Sequence, residues 1–228
     1  MPSINSFSPN KNSPKKKAKK QQQRQQNGLT QVYLVIYNLV SAAAWAFLGY
    51  QVIEQLANQG NHHMIFNKTI DTLKYVQLMA VLEVVHAALG LVPSAVTSTA
   101  MQISSRLFIS WYAGATLKAG VFCQAYPMML GAWILSDLTR YLYYTANLLS
   151  LQSSILTWLR YSLFLALYPI GTIGEMLMIL TGRHATSGNI SHGLLAISMV
   201  YPLGFMYMYS HMIKQRRKYL SQPKAKSS

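Results

Sequence analysis

Apolar positions along this chain fall in long blocks, not in the short alternating or one-sided patches of a water-soluble domain. Residues 31–56, 73–92, 154–180 and 192–213 are each mostly apolar over about the 20 residues that a lipid-crossing helix needs. A helix suits such a block because it satisfies every backbone amide within the segment. Residues 101–149 form one further apolar stretch, interrupted by Lys118, Gly120, Pro127 and Gly131, and long enough for two spans. Of these two, 101–120 is the less regular, since it carries Arg106 and several serines. The pattern predicts an all-α membrane protein, a bundle of about six transmembrane helices.

Charge supports this reading and adds a topology. Hydrophobic residues make up 51% of the chain, charged residues 11%, and Asp and Glu together number 5, whereas a soluble domain carries roughly 25% charged residues. The net charge of +15 sits mainly at the two ends, with seven Lys or Arg before residue 30 and six after residue 213. Beside apolar spans, basic ends mark the cytosolic side and not a nucleic-acid surface. Both termini are therefore expected in the cytosol, which requires an even number of crossings. Residues 1–30, rich in Lys, Gln and Ser, read as a disordered basic tail. Residues 31–213 read as the helical bundle, and 214–228 as a second basic tail.

The C-terminal Lys224-Ala225-Lys226-Ser227-Ser228 resembles a dilysine retrieval signal and points to a multi-pass protein of the endoplasmic reticulum membrane. Residues 57–71 and 181–191 are expected as loops on the far side of the membrane. They hold the glycosylation patterns Asn67-Lys68-Thr69 and Asn189-Ile190-Ser191. Cys123 is the only cysteine, so no intrachain disulfide can form.

Ionisable groups inside apolar blocks are costly, about 2.5–3.5 kcal/mol each at a helix centre, and normally have a partner, a wet cavity or a task. Glu83, Asp137 and Glu175 lie in such blocks, with Arg106, Arg140 and Arg160 in or at the edges of others. Asp137 and Arg140, three apart on one helix face, read as a structural ion pair. Glu83 and His86 share that spacing and read as a buried hydrogen-bonded pair.

A different pattern runs from Arg160 to Glu175. Arg160, Phe164, Tyr168, Gly171 and Glu175 follow steps of four, four, three and four, which aligns them on one helical face. Tyr168 and Glu175 are almost eclipsed, roughly 10.5 Å apart along an ideal helix. Gly171 leaves a notch between them, and Pro169 and Gly174 can kink the helix. A phenol and a carboxyl flanking a groove in apolar surroundings form a candidate acid–base pair for an apolar substrate. The alternative reading is a packing motif.

Several chemistries are excluded. The six histidines form no HxxxH or HxxHH box, and a lone carboxylate without histidines at ligand spacing makes no metal site. Cys123 has Met129 where a Cys-x5-Arg phosphatase loop needs Arg, and there is no phosphate loop or dinucleotide fingerprint.

The segment Tyr168-Pro169-Ile170-Gly171-Thr172-Ile173-Gly174-Glu175, preceded by Arg160-Tyr161, resembles the signature of the 3-hydroxyacyl-CoA dehydratases, also called protein-tyrosine-phosphatase-like proteins. The resemblance extends to Tyr33 through Asn38 with Trp45, to Leu82-Glu83-Val84-Val85-His86, and to Gly90 through Ser94. It continues through Gln102 to Arg106, Arg140-Tyr141 with Tyr144, Tyr201 through Phe205, and His211 through Lys218. The resemblance implies a six-helix protein of the endoplasmic reticulum that converts 3-hydroxyacyl-CoA to trans-2-enoyl-CoA, the third step of very-long-chain fatty-acid elongation. It implies Tyr168 and Glu175 as the catalytic pair and gives Arg140, Tyr141, Arg160 and Gly171 roles toward substrate. No cofactor or metal is expected. The implied partners are a long-chain 3-hydroxyacyl-CoA, the lipid bilayer, a condensing enzyme, a ketoacyl reductase and an enoyl reductase. Asp137 departs from the family pattern, where Glu is expected. A catalytically silent scaffold of the elongation complex and a small proton-coupled transporter are the alternatives.

Overall fold

The computed structural model describes residues 14–220 apart from residue 152, and the side chains of 28–217 within that range. Among the described residues the chain is helical, without strands. Helix α1 (Pro14–Ala57) pairs with α2 (His62–Ala88), and α3 (Val96–Leu107) runs on into a π-helical stretch, Phe108–Thr116. A single turn, α4 (Ala119–Phe122), leads to α5 (Tyr126–Leu148), followed by α6 (Ser154–Ser162), α7 (Phe164–His184) and α8 (Gly188–Leu220).

The two faces of α1 differ in burial but not in polarity. Its inner face carries Leu34, Asn38, Ser41, Trp45, Leu48 and Val52, all buried, at steps of three and four, with Tyr37 buried beside them. The opposite face carries Val32, Ile36, Phe47 and Ile53, each more than half exposed. A helix apolar on both faces, with buried Asn38, Ser41 and Gln51 turned inward, has the character of a membrane-crossing segment. Among the described residues three helical segments are long and apolar enough to cross a membrane: Gly28–Ala57, Phe164–His184 and Gly188–Arg217.

Helix boundaries depart from the sequence pattern where polar residues continue a helix. The start of α1 at Pro14 lies inside the segment expected to be disordered. Pro fits a first helical turn, and the Lys, Gln, Ala and Arg residues after it favour helix up to Gly28. Residues 1–13, and the dilysine-like end with Lys224 and Lys226, lie outside the described residues.

Helix α2 begins eleven residues earlier than its apolar block, because Asn61 caps it by accepting from the Met64 amide at 3.1 Å. Asn67 is therefore on a helix, not in a loop. Thr69 of the same pattern is fully buried, with its hydroxyl 2.8 Å from that of Tyr126. Asn189 likewise falls in the first turn of α8. The expected far-side loops are thus short connections.

Helix α5 occupies the centre, packed on α1 and α7; α2 packs on α1 and α3, and α7 on α8. Two features fit α7 into this arrangement. Gly174 faces Met129 of α5 so closely that a Cβ would lie 2.5 Å from the Met129 Cβ. Pro169 cannot donate to the Leu165 carbonyl, and the Tyr209 hydroxyl of α8 donates to it instead, at 3.3 Å. Below the level of Glu175 the interior is closed by Ile109, Met129, Met178, Ile179 and Leu194.

Candidate active site

The helices α1, α2, α3, α5, α6, α7 and α8 all contribute to the lining of a cavity of about 1340 Å³. Its rim lies at the end where Ser94, Asn147, Arg160 and Gln215 meet, and it reaches inward to Trp133, Glu175 and Tyr201. Arg160, Phe164, Tyr168, Gly171 and Glu175 all line it. The shared helical face read from their spacing survives the irregularity at Leu163, because that residue keeps right-handed helical angles of φ −59 and ψ −33. All six sequence-derived site residues, Tyr168, Glu175, Arg140, Tyr141, Arg160 and Gly171, border this one cavity.

Glu175 is buried, and two donors hold its carboxyl. Trp133 Nε1 of α5 donates to Oε1 at 2.9 Å, and the Tyr201 hydroxyl of α8 donates to Oε2. The indole lies under Gly171, where a Cβ would meet Trp133 Cδ1 and Nε1 at 3.5 Å. The absent side chain thus keeps open the space between Tyr168 and Glu175. The Tyr168 ring stacks on Phe205, with centroids 5.3 Å apart and planes at 14°, and on Tyr209 at 6.0 Å. Its hydroxyl borders the cavity and makes no hydrogen bond within the protein among the described residues.

A chain of alternating charges runs across α2, α5 and α3 behind this site. Arg140 binds Glu83 through Nη1 at 2.8 Å and Nη2 at 2.9 Å, and reaches Asp137 at 2.9 Å. Asp137 also pairs with Arg106. Two carboxylates and two guanidinium groups balance to zero, which is how a low-dielectric interior tolerates four charges. Arg106 lies 4.8 Å from the centroid of the Trp133 ring, so the network ends on the indole that holds Glu175.

The Asp137–Arg140 pair follows the helical spacing, but the Glu83–His86 pair does not form. Glu83 turns to Arg140 and to the Tyr141 hydroxyl, while His86 lies 2.8 Å from the Tyr33 hydroxyl. The stronger partner wins, since a bidentate guanidinium outcompetes an imidazole for a buried carboxylate. Both Nη atoms of Arg140 are committed to carboxylates. Arg160 sits at the rim with Tyr144 under it, 5.7 Å from the ring centroid, and has no carboxylate partner among the described residues.

Sequence reasoning did not single out Trp133, Tyr201 or Arg106 as parts of the site. Trp133 and Tyr201 look like ordinary apolar-face aromatics in their helices. The only available signal was the demand of a buried carboxyl for donors.

A buried carboxyl held by two donors and a phenol lining the same cavity form a candidate acid–base site in a helical protein with membrane-length segments. The family model "Protein tyrosine phosphatase-like protein, PTPLA" matches residues 77–222, and the chain belongs to this family. It is 35% identical over 206 residues to the mouse very-long-chain (3R)-3-hydroxyacyl-CoA dehydratase 2, covering 83% of this chain and 81% of that protein. The human dehydratase 2 is 33% identical over 209 residues, covering 85% and 82%. A probable very-long-chain (3R)-3-hydroxyacyl-CoA dehydratase of Schizosaccharomyces pombe is 34% identical over 192 residues, covering 82% and 91%. No solved structure matches the chain.

Proposed function

We propose that this protein dehydrates long-chain 3-hydroxyacyl-CoA to trans-2-enoyl-CoA, a hydro-lyase step of very-long-chain fatty-acid elongation, with Glu175 and Tyr168 as the catalytic pair. The observation that carries the assignment is the difference in their hydrogen bonding. Glu175 is surrounded by donors, from Trp133 and Tyr201, and so is set up as an acceptor. Tyr168 has a hydroxyl free to donate into the same cavity. Glu175 then removes the proton from C2 and the C3–O bond breaks. The departing hydroxide takes the Tyr168 proton and leaves as water. Transfer of the C2 proton from Glu175 back to the phenolate restores both groups, so no redox cofactor or metal is needed. Geometry comes first in such assignments, and both groups border one space large enough for the acyl thioester.

In this reading the bundle crosses the endoplasmic reticulum membrane six times with both termini in the cytosol. The rim faces the cytosol, where Lys214, Arg216 and Arg217 of α8 end the chain's apolar part. Arg160 binds a phosphate of CoA there, while Arg140 and Tyr141 organise the wall of the cavity and Gly171 keeps it open. A condensing enzyme, a ketoacyl reductase and an enoyl reductase act before and after this step.

The test is turnover of a long-chain 3-hydroxyacyl-CoA by detergent-purified protein, with Glu175→Gln and Tyr168→Phe alongside. Enoyl product from wild type, and its loss in both folded variants, is expected. Near-normal turnover in either variant would remove that residue from the pair. No turnover by folded wild type would favour a scaffold role.

A further inference from the structure

A 3-hydroxyacyl-CoA that places C2 and C3 between Tyr168 and Glu175 must send the rest of its acyl chain somewhere. With CoA at the polar rim, the straight path inward is blocked. Ile109, Met129, Met178 and Ile179 are fully buried beneath Glu175, and Leu194 is 2% exposed.

The lateral wall is different. α8 packs mainly on α7, and α3 on α2 and on the π-helical stretch, while Ser105 of α3 interacts with the Tyr201 side chain of α8. Of the membrane-length segments, that of α8 is only 11% buried, against 33% for α7. Apolar residues on these two helices face both inward and outward. Met101 of α3 and Ile197 and Val200 of α8 border the cavity, yet are 41%, 37% and 64% exposed. Gly204 borders it as well, and a Cβ there would meet nothing within 4 Å. On the rim side of the Ser105–Tyr201 contact the cavity is therefore bordered by an apolar seam, at the level of Tyr168, whose ring stacks on Phe205 beside Gly204.

We propose that this seam between α3 and α8 is the exit for the substrate's acyl chain, which passes Met101, Val200 and Gly204 and ends among the lipid tails. This rests on the dehydratase reading of the site. The physical reason is economy of burial, since a methylene gains nothing by leaving lipid for a protein pocket of equal polarity. A site of this kind holds C1 to C3 and the first few methylenes and imposes no upper limit on chain length. Specificity for long chains then comes from the membrane, which presents them at the seam.

Gly204→Trp tests the seam without crowding the fold, because the position is open; Gly193→Leu, on the same helix and equally open but away from the cavity, is the control. The ratio of kcat/KM for 3-hydroxyeicosanoyl-CoA to that for 3-hydroxyoctanoyl-CoA is compared in nanodiscs. Gly204→Trp is expected to lower this ratio at least about tenfold, with no change in Gly193→Leu. An unchanged ratio in Gly204→Trp, with wild type active, overturns the lateral exit and leaves the dehydratase reading in place.

A hydroxyacyl-CoA with a diazirine at the methyl end of a long chain gives a readout independent of turnover. Labelling of lipid, Met101 and Val200 supports the seam. Labelling confined to Met129, Met178 or Ile179 overturns it, even in a preparation that turns nothing over. Absence of turnover with every chain length counts against the dehydratase reading itself.

Discussion

Trp133 Nε1 donates a hydrogen bond to Glu175 Oε1 at 2.9 Å, joining the centre of α5 to the centre of α7. The contact sets the orientation of a carboxyl that has little other means of being held in an apolar interior. Tyr201 supplies the matching bond from the other side, on α8. The position of the proposed base is thus determined by three helices together.

Removing either donor is expected to misplace the carboxyl without emptying the binding site. A hydrogen bond to a charged group contributes about 1.5–3 kcal/mol. Trp133→Phe and Tyr201→Phe should each lower kcat roughly tenfold to a hundredfold with little change in KM. Steady-state kinetics on protein of unaltered melting temperature checks this. An equal fall in kcat with a large rise in KM would instead mean that these aromatics bind substrate.

Asp137 lies between Arg106 and Arg140 and is 1% exposed. Replacing it with Ala leaves Arg106 without its carboxylate and Arg140 with that of Glu83 alone. Breaking a buried pair from one side typically costs about 3–5 kcal/mol. Asp137→Ala should therefore lower unfolding stability in detergent by about that amount, measurable by thermal or denaturant melts. Asp137→Glu keeps the charge and should retain most of the stability.

Gly174 is a packing position, unlike Gly171. A Cβ at 174 would lie 2.5 Å from the Met129 Cβ and 3.1 Å from its Cα, so α5 and α7 would have to part. Gly174→Ala should destabilise by about 1–3 kcal/mol, as overpacking does. Gly171→Ala meets Trp133 only at 3.5 Å and should fold normally while lowering activity. Melting curves and turnover of the two variants, compared side by side, separate these roles.

Arg160 at the rim donates from Nη2 to the Tyr144 hydroxyl at 3.3 Å and has no carboxylate partner among the described residues. Its replacement by Ala should raise KM for a CoA thioester about tenfold and leave kcat nearly unchanged, the signature of lost uniform binding. The effect should disappear with an N-acetylcysteamine thioester, which has no phosphates. Should both thioesters lose equally, Arg160 would be assigned to the wall of the site and not to phosphate binding.

That Tyr168, Gly171 and Glu175 line one cavity was legible in the sequence. Tyr168, Gly171 and Glu175 belong to one helix, and helical periodicity alone places them on one face. Asp137 and Arg140 pair for the same reason, three apart on α5. Local spacing misled for Glu83, because its competing partner Arg140 comes from another helix 57 positions away in the chain. It misled again at Asn67, where polar residues that look like a loop form the first turns of α2 under an Asn61 cap.

The sequence by itself determined that the protein is helical, largely apolar and provided with a phenol and a carboxyl at matching positions of one segment. Those properties depend on composition and on a repeat of 3.6 residues, which are local. The tertiary structure alone decided that Trp133 and Tyr201 hold Glu175, that Arg106 completes the charge chain, and that α3 and α8 leave a seam. These contacts depend on how helices rotate and slide against one another. That register is set by side-chain packing over the whole bundle, such as Gly174 against Met129, and no single segment encodes it.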